Sequence, residues 1–171
     1  MITCASFVRD GPSAGHDLAR SFRAGDPVAL AAVVELVAGA LASGSALDPR
    51  RPVHVVTLPG HETGAVNTAC DRLVLELAGR FPSMHPVPGA LVRIAAAVEA
   101  KLGGVRDAAA EAATLSWRTD PLGGDGVILL LDDIVRSGST FAAAIAAAPT
   151  GIAQRIVPMA VFRAIDPAGE P

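Results

Sequence analysis

The chain contains few of the residues that cross-link small secreted domains or build metal sites. Its 171 residues include two cysteines, Cys4 and Cys70, which lie far apart in the sequence. Two distant cysteines form neither a disulfide framework nor the closely spaced ligand pairs of a zinc site, and free thiols are typical of a reducing compartment. The four histidines have no zinc-like spacing either. The sequence therefore predicts a cytoplasmic protein without a dedicated metal site.

Positive charge is not in excess. Lys and Arg number 14 against 17 Asp and Glu, a net charge of −3. Broad binding to nucleic acids depends on neutralising phosphates, so we expect no strong nucleic-acid binding. The most apolar stretch, residues 28–42, contains Glu35 and is shorter than the ~20 residues that cross a bilayer. The N-terminus has no basic segment followed by an apolar one. We therefore expect neither a signal peptide nor a membrane segment.

Composition indicates a folded protein with a sizeable core, because 51% of the residues are hydrophobic and 18% are charged. The length favours a single domain over residues 1–171. Asp26 followed by Pro27 predicts a helix start, with an acidic cap and proline in the first turn. We predict strands over residues 2–8, 53–59, 84–87, 127–131 and 154–164, and helices over 27–43, 66–80, 90–101, 106–116 and 141–148. This alternation favours an α/β fold in three layers, with a mostly parallel central sheet and helices on both faces.

The most informative stretch is "VILLLDDIVRSGST", which runs from Val127 to Thr140. The apolar run is typical of a central strand that is buried on both faces. Asp132 and Asp133 follow at its carboxyl end, where open α/β sheets bind their ligands. Successive side chains on a strand alternate, so we expect one acid to face a ligand and the other to face neighbouring elements. The alternative is that the acids only cap loops.

The five residues after this strand can bind an anion. They are Arg136, Ser137, Gly138, Ser139 and Thr140, and an Ala-rich helix pattern follows them. Backbone N–H groups at a helix N-terminus attract anions, and Gly138 lets the backbone approach closely. The alternative is ordinary helix capping by Ser137 or Ser139. Acids that accept hydroxyls beside amides that hold a phosphate indicate a sugar-phosphate site.

This segment resembles the phosphoribosyl-diphosphate (PRPP) signature of the type I phosphoribosyltransferases: an apolar strand, two acids, two apolar residues, two variable or hydroxyl residues, Gly, a small residue and Thr. The resemblance implies a phosphoribosyltransferase core with a small N-terminal hood. It also implies that Asp132 and Asp133 bind the ribose 2- and 3-hydroxyls, that residues 136–140 hold the 5-phosphate, and that Mg²⁺ accompanies PRPP.

A weaker similarity covers "VHVVTLPGHETGAVN", whose layout is similar to that of competence-associated, ComF-type members. It implies that the loop of Pro59, Gly60, His61 and Glu62 binds pyrophosphate through backbone amides. These members usually carry an Arg-Gly-Phe-Asn-Gln segment near this point. The present chain has "GAVNT" at residues 64–68, in which only the asparagine matches and the arginine is missing. His61, when protonated, is a possible substitute, or it is simply a solvated loop residue.

A basic stretch lies between Arg93 and Arg118. Family members close a mobile basic loop over PRPP in this region, and the glycines at 103 and 104 would be its hinges. The resemblance implies that Lys101 and Arg106 balance the negative charge of the leaving group. The alternative is a solvated helix face with scattered charges.

These observations favour a phosphoribosyltransferase that transfers ribose 5-phosphate from PRPP to a small-molecule, nucleobase-like acceptor and releases pyrophosphate. The alternative is a non-catalytic relative that binds PRPP or a nucleotide monophosphate and regulates other proteins. The missing arginine favours this second interpretation, whereas both acids and the complete phosphate loop favour ligand binding in either case. The apolar helices predicted at 27–42 and 90–100 would suit a homodimer interface.

Overall fold

The computed structural model describes residues 1–8, 13–43, 51–96 and 108–165. Its centre is a five-stranded, all-parallel sheet in the order β1-β7-β6-β2-β3, and a separate antiparallel hairpin pairs β4 with β5. The strands are β1 (Ile2–Val8), β2 (Val53–Thr57), β3 (Met84–Pro86), β4 (Leu91–Arg93), β5 (Leu115–Trp117), β6 (Val127–Val135) and β7 (Ile156–Ile165). The helices are α1 (Ala14–Arg23), α2 (Pro27–Ser43), α3 (Thr68–Arg80), α4 (Ala108–Ala112), α5 (Ser139–Ala146) and α6 (Thr150–Ala153). The predicted α/β fold with a parallel central sheet and flanking helices is confirmed. The expected N-terminal hood is not, because the described N-terminal residues form β1 of that sheet and the helices α1 and α2 that pack on it.

The apolar run of β6 places it in the middle of the sheet. Ile128, Leu129, Leu130 and Leu131 are all fully buried, and they belong alternately to two hydrophobic clusters on opposite faces. Both faces of this strand are apolar, so exposing either of them to water would destabilise the folded protein. The strand therefore lies in the middle of the sheet, between β2 and β7, with helices covering both faces.

The two faces of the sheet are covered by different parts of the chain. Helices α1, α2 and α3 pack on one face, and α5, α6 and the β4–β5 hairpin pack on the other. The start of α2 follows its sequence signal, because Asp26 Oδ1 accepts a hydrogen bond of 2.8 Å from Val28 N–H. Asn67 caps α3 in the same way, at 3.2 Å from Cys70 N–H. In both helices, therefore, the capping residue at the start and the buried apolar face stabilise the same helical segment.

Several sequence predictions need correction. No helix was predicted before residue 27, but α1 begins at Ala14, is capped by Ser13 and buries Phe22. The helix predicted over 90–101 is wrong at its start, where Leu91–Arg93 forms β4; its second half lies outside the described residues. Of the helix predicted over 106–116, only Ala108–Ala112 is described as helical, and the chain then pairs as β5. Pairing across the hairpin outweighs the helical tendency of this Ala-rich sequence.

The connections between strands reverse direction in the middle of the sheet. From β2 the chain continues through α3 to β3 on one side, whereas from β6 it continues through α5 to β7 on the other. Since β2 and β6 are neighbours, the loops that follow their carboxyl ends run in opposite directions, an arrangement that leaves a crevice in open α/β sheets. Such a switch point is where open α/β sheets bind ligands.

No single helix in the described ranges is long and apolar enough to span a membrane. The pair α1 and α2 reaches the required length and composition only together, and the two helices meet at a bend of 113°.

The core of β6 gives a direct test of this packing. Leu129→Ala removes a side chain with 0% exposure and should lower the free energy of unfolding by about 2–5 kcal/mol, because a cavity remains at the centre of the sheet. The matched control is Leu75→Ala, at a position that is 65% exposed, and should change it by less than ~0.5 kcal/mol. Urea denaturation measures both values. Equal effects of the two substitutions would contradict the central position of β6.

Candidate functional site

The crevice at the switch point brings together most of the residues that the sequence singled out. Leu58 N–H donates a hydrogen bond of 2.8 Å to Leu131 O, which joins the end of β2 to β6 immediately before the acid pair. The loop with Pro59, Gly60, His61 and Glu62 therefore starts next to Asp132. The loop that follows β6 starts at the same edge of the sheet, so both predicted loops border one crevice.

Asp133 is tied to the N-terminal helix. Its side chain is almost fully buried, and its Oδ2 lies 2.8 Å from Nε of Arg23, the last residue of α1. Its other oxygen, Oδ1, accepts a hydrogen bond of 2.8 Å from Ile134 N–H. Arg23 is 61% exposed, so its side chain can move without unfolding the core, whereas Asp133 is held in place.

Asp132 has a different environment. Its side chain is half-buried, and its Oδ1 accepts a hydrogen bond of 2.9 Å from the backbone N–H of Asp133. Burial raises the pKa of Asp132 well above its ordinary value of 3.8, and the negative charge and side chain of Asp133 raise it further. The nearby guanidinium of Arg23 opposes this shift only in part.

One of the two acids contacts a neighbouring helix, as expected, because Asp133 is paired with Arg23 of α1. Both carboxylates act on the buried thiol of Cys70 in α3: burial raises the Cys70 pKa, and the charges of Asp133 and Asp132 raise it further. The alternation itself changes at this point of the strand. Leu129 and Leu131 pack in the cluster with α1–α3, but so does Ile134, three residues later. The end of β6 is therefore irregular, and the carboxylate of Asp133 is close enough to Asp132 to raise its pKa.

The loop that was predicted to bind phosphate, residues 136–140, has the backbone that the sequence suggested. Gly138 adopts a left-handed conformation with φ of 78°, and α5 begins at the next residue. Ser137 Oγ accepts a hydrogen bond of 3.3 Å from Ser139 N–H and donates one of 3.1 Å to Ser139 Oγ. The N-cap residue of α5 is Gly138, which has no side chain to accept a hydrogen bond from the first turn. Arg136 and Ser137 are exposed, and Thr140 is half-buried at the first turn of the helix.

The loop after β2 is shaped by two glycines. Gly64 has a positive φ of 73°, and a Cβ on Gly60 would lie 2.9 Å from Cβ of Ala65. His61 and Glu62 are exposed at its tip, whereas Pro59 and Gly60 are half-buried. A side chain at either glycine would therefore change the course of the backbone around His61 and Glu62.

Arg93 is the functional-site residue that sequence reasoning placed incorrectly. It was expected on a basic loop or a solvated helix face, yet it is 2% exposed and lies in β4. Its Nε donates a hydrogen bond of 2.6 Å to Gly60 O, directly below the loop after β2. Lys101 and Arg106 lie outside the described residues, so their predicted role in leaving-group binding stays a prediction.

Two further contacts at this edge were not predicted. Thr57 Oγ1, at the end of β2, donates a hydrogen bond of 2.8 Å to Asp71 Oδ1 in the first turn of α3. Arg72 donates one of 3.0 Å to Gly25 O between α1 and α2. These contacts fix α1 and α3 beside the acid pair. Among the described residues, no group of three or more His, Cys, Asp or Glu side chains is arranged to hold a metal ion.

No protein-family model matches this chain, and no curated protein is significantly similar to it. The function is therefore inferred from the residues and their geometry.

The unusual pKa of Asp132 has a consequence for stability. An acid whose pKa is raised in the folded state binds its proton more tightly there than in the unfolded chain. The contribution of Asp132 to the free energy of unfolding is therefore most favourable below pH ~3.8. This contribution is lost as the pH rises through the higher pKa of the folded state. Asp132→Asn should consequently raise the free energy of unfolding at neutral pH, and the gain should disappear at acid pH.

Urea denaturation of wild type and Asp132→Asn between pH 4 and pH 8 measures this difference. The control is Asp125→Asn, because the Asp125 side chain is 93% exposed and its replacement should give no comparable pH-dependent gain. A constant difference between wild type and Asp132→Asn over the whole range would contradict the raised pKa.

Proposed function

We propose that the crevice between the carboxyl ends of β2 and β6 binds PRPP, and that the protein transfers its phosphoribosyl group to a nucleobase-like acceptor. The observation that carries the proposal is the meeting, at the switch point, of an acid pair, a glycine loop at a helix N-terminus and a second glycine loop. Each provides the chemistry that one part of PRPP needs. The phosphoribosyltransferase-like identity and the acceptor class rest on the resemblance of the sequence to the PRPP signature.

The ribose would lie against the acid pair. Carboxylates accept strong hydrogen bonds from hydroxyls, and Asp133 is held rigidly enough to orient the 2- and 3-hydroxyls. Without ligand, Arg23 compensates the buried charge of Asp133. Ribose hydroxyls would replace part of that contact, and the exposed side chain of Arg23 would then be available to turn toward a phosphate.

The 5-phosphate would bind at the start of α5. Backbone N–H groups in the first turn of a helix lack intrahelical partners, and the hydroxyls of Ser137 and Ser139 lie 3.1 Å apart at the start of α5. Thr140 would supply a third hydroxyl. A helix N-terminus contributes ~0.3–1 kcal/mol toward an anion, and several N–H donors and hydroxyls add to it. The left-handed Gly138 allows this tight approach, because a Cβ there would strain the backbone.

The diphosphate would lie along the loop after β2, near His61 and Glu62. Magnesium would accompany it, bound mainly by diphosphate oxygens, ribose oxygens and water. Asp132 and Asp133 supply oxygen atoms of the kind that Mg²⁺ prefers, so the residues of the crevice fit this ion. When bound, the ion would neutralise part of the charge on the leaving group.

In the transfer, the bond between C1 of the ribose and the diphosphate oxygen breaks, and the electron pair leaves with pyrophosphate. A nitrogen lone pair of the acceptor forms the new bond to C1, and the acceptor loses a proton to water. The transition state carries positive charge on the ribose ring, so positioning and electrostatic stabilisation dominate catalysis. Lys101 and Arg106 are proposed to balance the leaving group.

A second candidate function is binding of PRPP or a nucleotide monophosphate without turnover. The loop after β2 contains Glu62 and no Lys or Arg, and the nearby guanidinium of Arg93 is directed to buried partners. Weak charge compensation for pyrophosphate would reduce catalysis more than binding, because the charge develops as the bond breaks.

Calorimetric titration with PRPP and Mg²⁺ tests the site. We expect micromolar binding by the wild type and loss of binding in the double variant Asp132→Asn, Asp133→Asn, because the ribose loses two charged acceptors. The control is Asp125→Asn, on the opposite edge of the sheet, which should bind like wild type. Unchanged PRPP binding by a folded double variant would refute the site.

Release of pyrophosphate separates the two functions. Wild-type protein is incubated with PRPP, Mg²⁺ and a panel of purine and pyrimidine bases, and pyrophosphate is measured. Release that depends on one class of base supports the transferase. Tight PRPP binding without release for any base favours the non-catalytic function.

A further inference from the structure

A buried ion pair lies behind the loop after β2. Arg93 Nη2 donates a hydrogen bond of 2.9 Å to Glu111 Oε1, and both side chains are essentially inaccessible to solvent. Arg93 Nη1 donates one of 2.6 Å to Thr114 Oγ1, whose own hydroxyl donates 2.7 Å to Glu111 O. With the bond from Nε to Gly60 O, the guanidinium has partners in three directions.

Arg93 holds the loop at two points. Its side chain binds the carbonyl of Gly60, and its own backbone carbonyl accepts a hydrogen bond of 3.0 Å from Gly64 N–H. Both ends of the five-residue segment Gly60–Gly64 are therefore hydrogen-bonded to one residue of β4. His61 and Glu62 project to solvent between these two points.

Stability does not account for such a pair. Removing two charges from water costs several kcal/mol per ion, and apolar residues of similar volume often stabilise a core at least as well. One oxygen of the carboxylate, Glu111 Oε2, is buried with no hydrogen-bond partner among the described residues, which adds to that cost. A guanidinium, however, fixes three acceptors at once in a planar fork, which an apolar side chain does not.

We propose that Arg93 is a positioning residue for pyrophosphate recognition. It fixes the backbone of Gly60–Gly64 so that the amides of the loop face the diphosphate of PRPP. Arg93 does not touch the ligand, because it is buried; Glu111 and Thr114 orient its guanidinium. This inference rests on the proposed function, and it assigns Arg93 to one half of the ligand only. The ribose 5-phosphate half is held by β6 and α5.

The variant Arg93→Lys tests this division. Lysine keeps the charge but lacks the planar fork, so Gly60 O and Thr114 Oγ1 lose their fixed donor. We expect the dissociation constant of Mg²⁺-pyrophosphate to rise at least tenfold, and that of ribose 5-phosphate to stay within twofold of wild type. Calorimetry with the two ligands measures both constants.

Arg155→Lys is the matched control. Arg155 also donates to backbone carbonyls, those of Gly124 and Leu122, but it does so at the amino ends of β6 and β7. Its replacement should change neither dissociation constant, even where it lowers thermal stability. An equal loss for both ligands in Arg93→Lys would indicate general damage and overturn the inference. Unchanged pyrophosphate binding in folded Arg93→Lys would do the same.

Two additions keep the test decisive. If Arg93→Lys does not fold, Glu111→Gln takes its place. Glutamine retains the shape of the side chain and one acceptor oxygen, and this variant should weaken the binding of pyrophosphate but not that of ribose 5-phosphate. Amide hydrogen exchange should rise in residues 58–66 of the Arg93 or Glu111 variant, with β6 remaining protected; equal exchange in loop and strand overturns the positioning role. A wild type that binds ribose 5-phosphate but not pyrophosphate contradicts this inference alone, and one that binds neither refutes the proposed function as well.

Discussion

Burial of β6 on both faces is the constraint on which the rest of the structure depends. Its four consecutive apolar residues need cover from two directions, so the strand lies between β2 and β7 with helices above and below. This position makes the end of β6 the border of the switch-point crevice. The same strand then carries Asp132 and Asp133 into that crevice. Hydrophobic packing thus determines where the polar residues meet.

The positively charged side chains around the crevice come from separate elements of the fold. Arg23, at the end of α1, neutralises Asp133, while Arg93 in β4 supports the loop after β2 from within the core. Burial and the negative charge of Asp133 raise the pKa of Asp132, and Arg23 compensates for them only in part. Positive potential for an anion comes from backbone N–H groups at the start of α5. A sugar phosphate would suit this distribution, because its hydroxyls would bind at the acids and its phosphate at the amides, as we propose.

The sequence predicted the parts of the molecule that depend on local signals. The apolar run of β6, the cap of α2 at Asp26 and the glycine before α5 each have a short-range physical cause, and the structure has them where expected. Helix α1 was missed because its "GPSAGHD" start contains residues that are common in loops. The β4–β5 hairpin was missed because its strands are three residues long and lie in an Ala-rich stretch.

The contacts of the site are harder to predict, because they join residues far apart in the sequence. Nothing local distinguishes Arg93 from a solvated arginine; its partners come from two other segments, Gly60 from the loop after β2 and Glu111 and Thr114 from the end of α4 and the residues after it. Arg23 likewise meets Asp133 only after α1 has packed on the sheet. Strand alternation predicted that one acid would contact a neighbouring element, but it did not identify the helix or the residue that Asp133 meets. Tertiary packing decides each of these cases.

The central claim is that one crevice holds both halves of PRPP. Amide chemical shifts of ¹⁵N-labelled protein, followed by NMR during titration with ribose 5-phosphate and then with PRPP and Mg²⁺, test it most directly. We expect ribose 5-phosphate to shift the amides of residues 132–140, and PRPP to shift those of residues 58–66 in addition. Shifts confined to the amino ends of the strands, around His54 and His85, or no shifts with either ligand, would contradict the account.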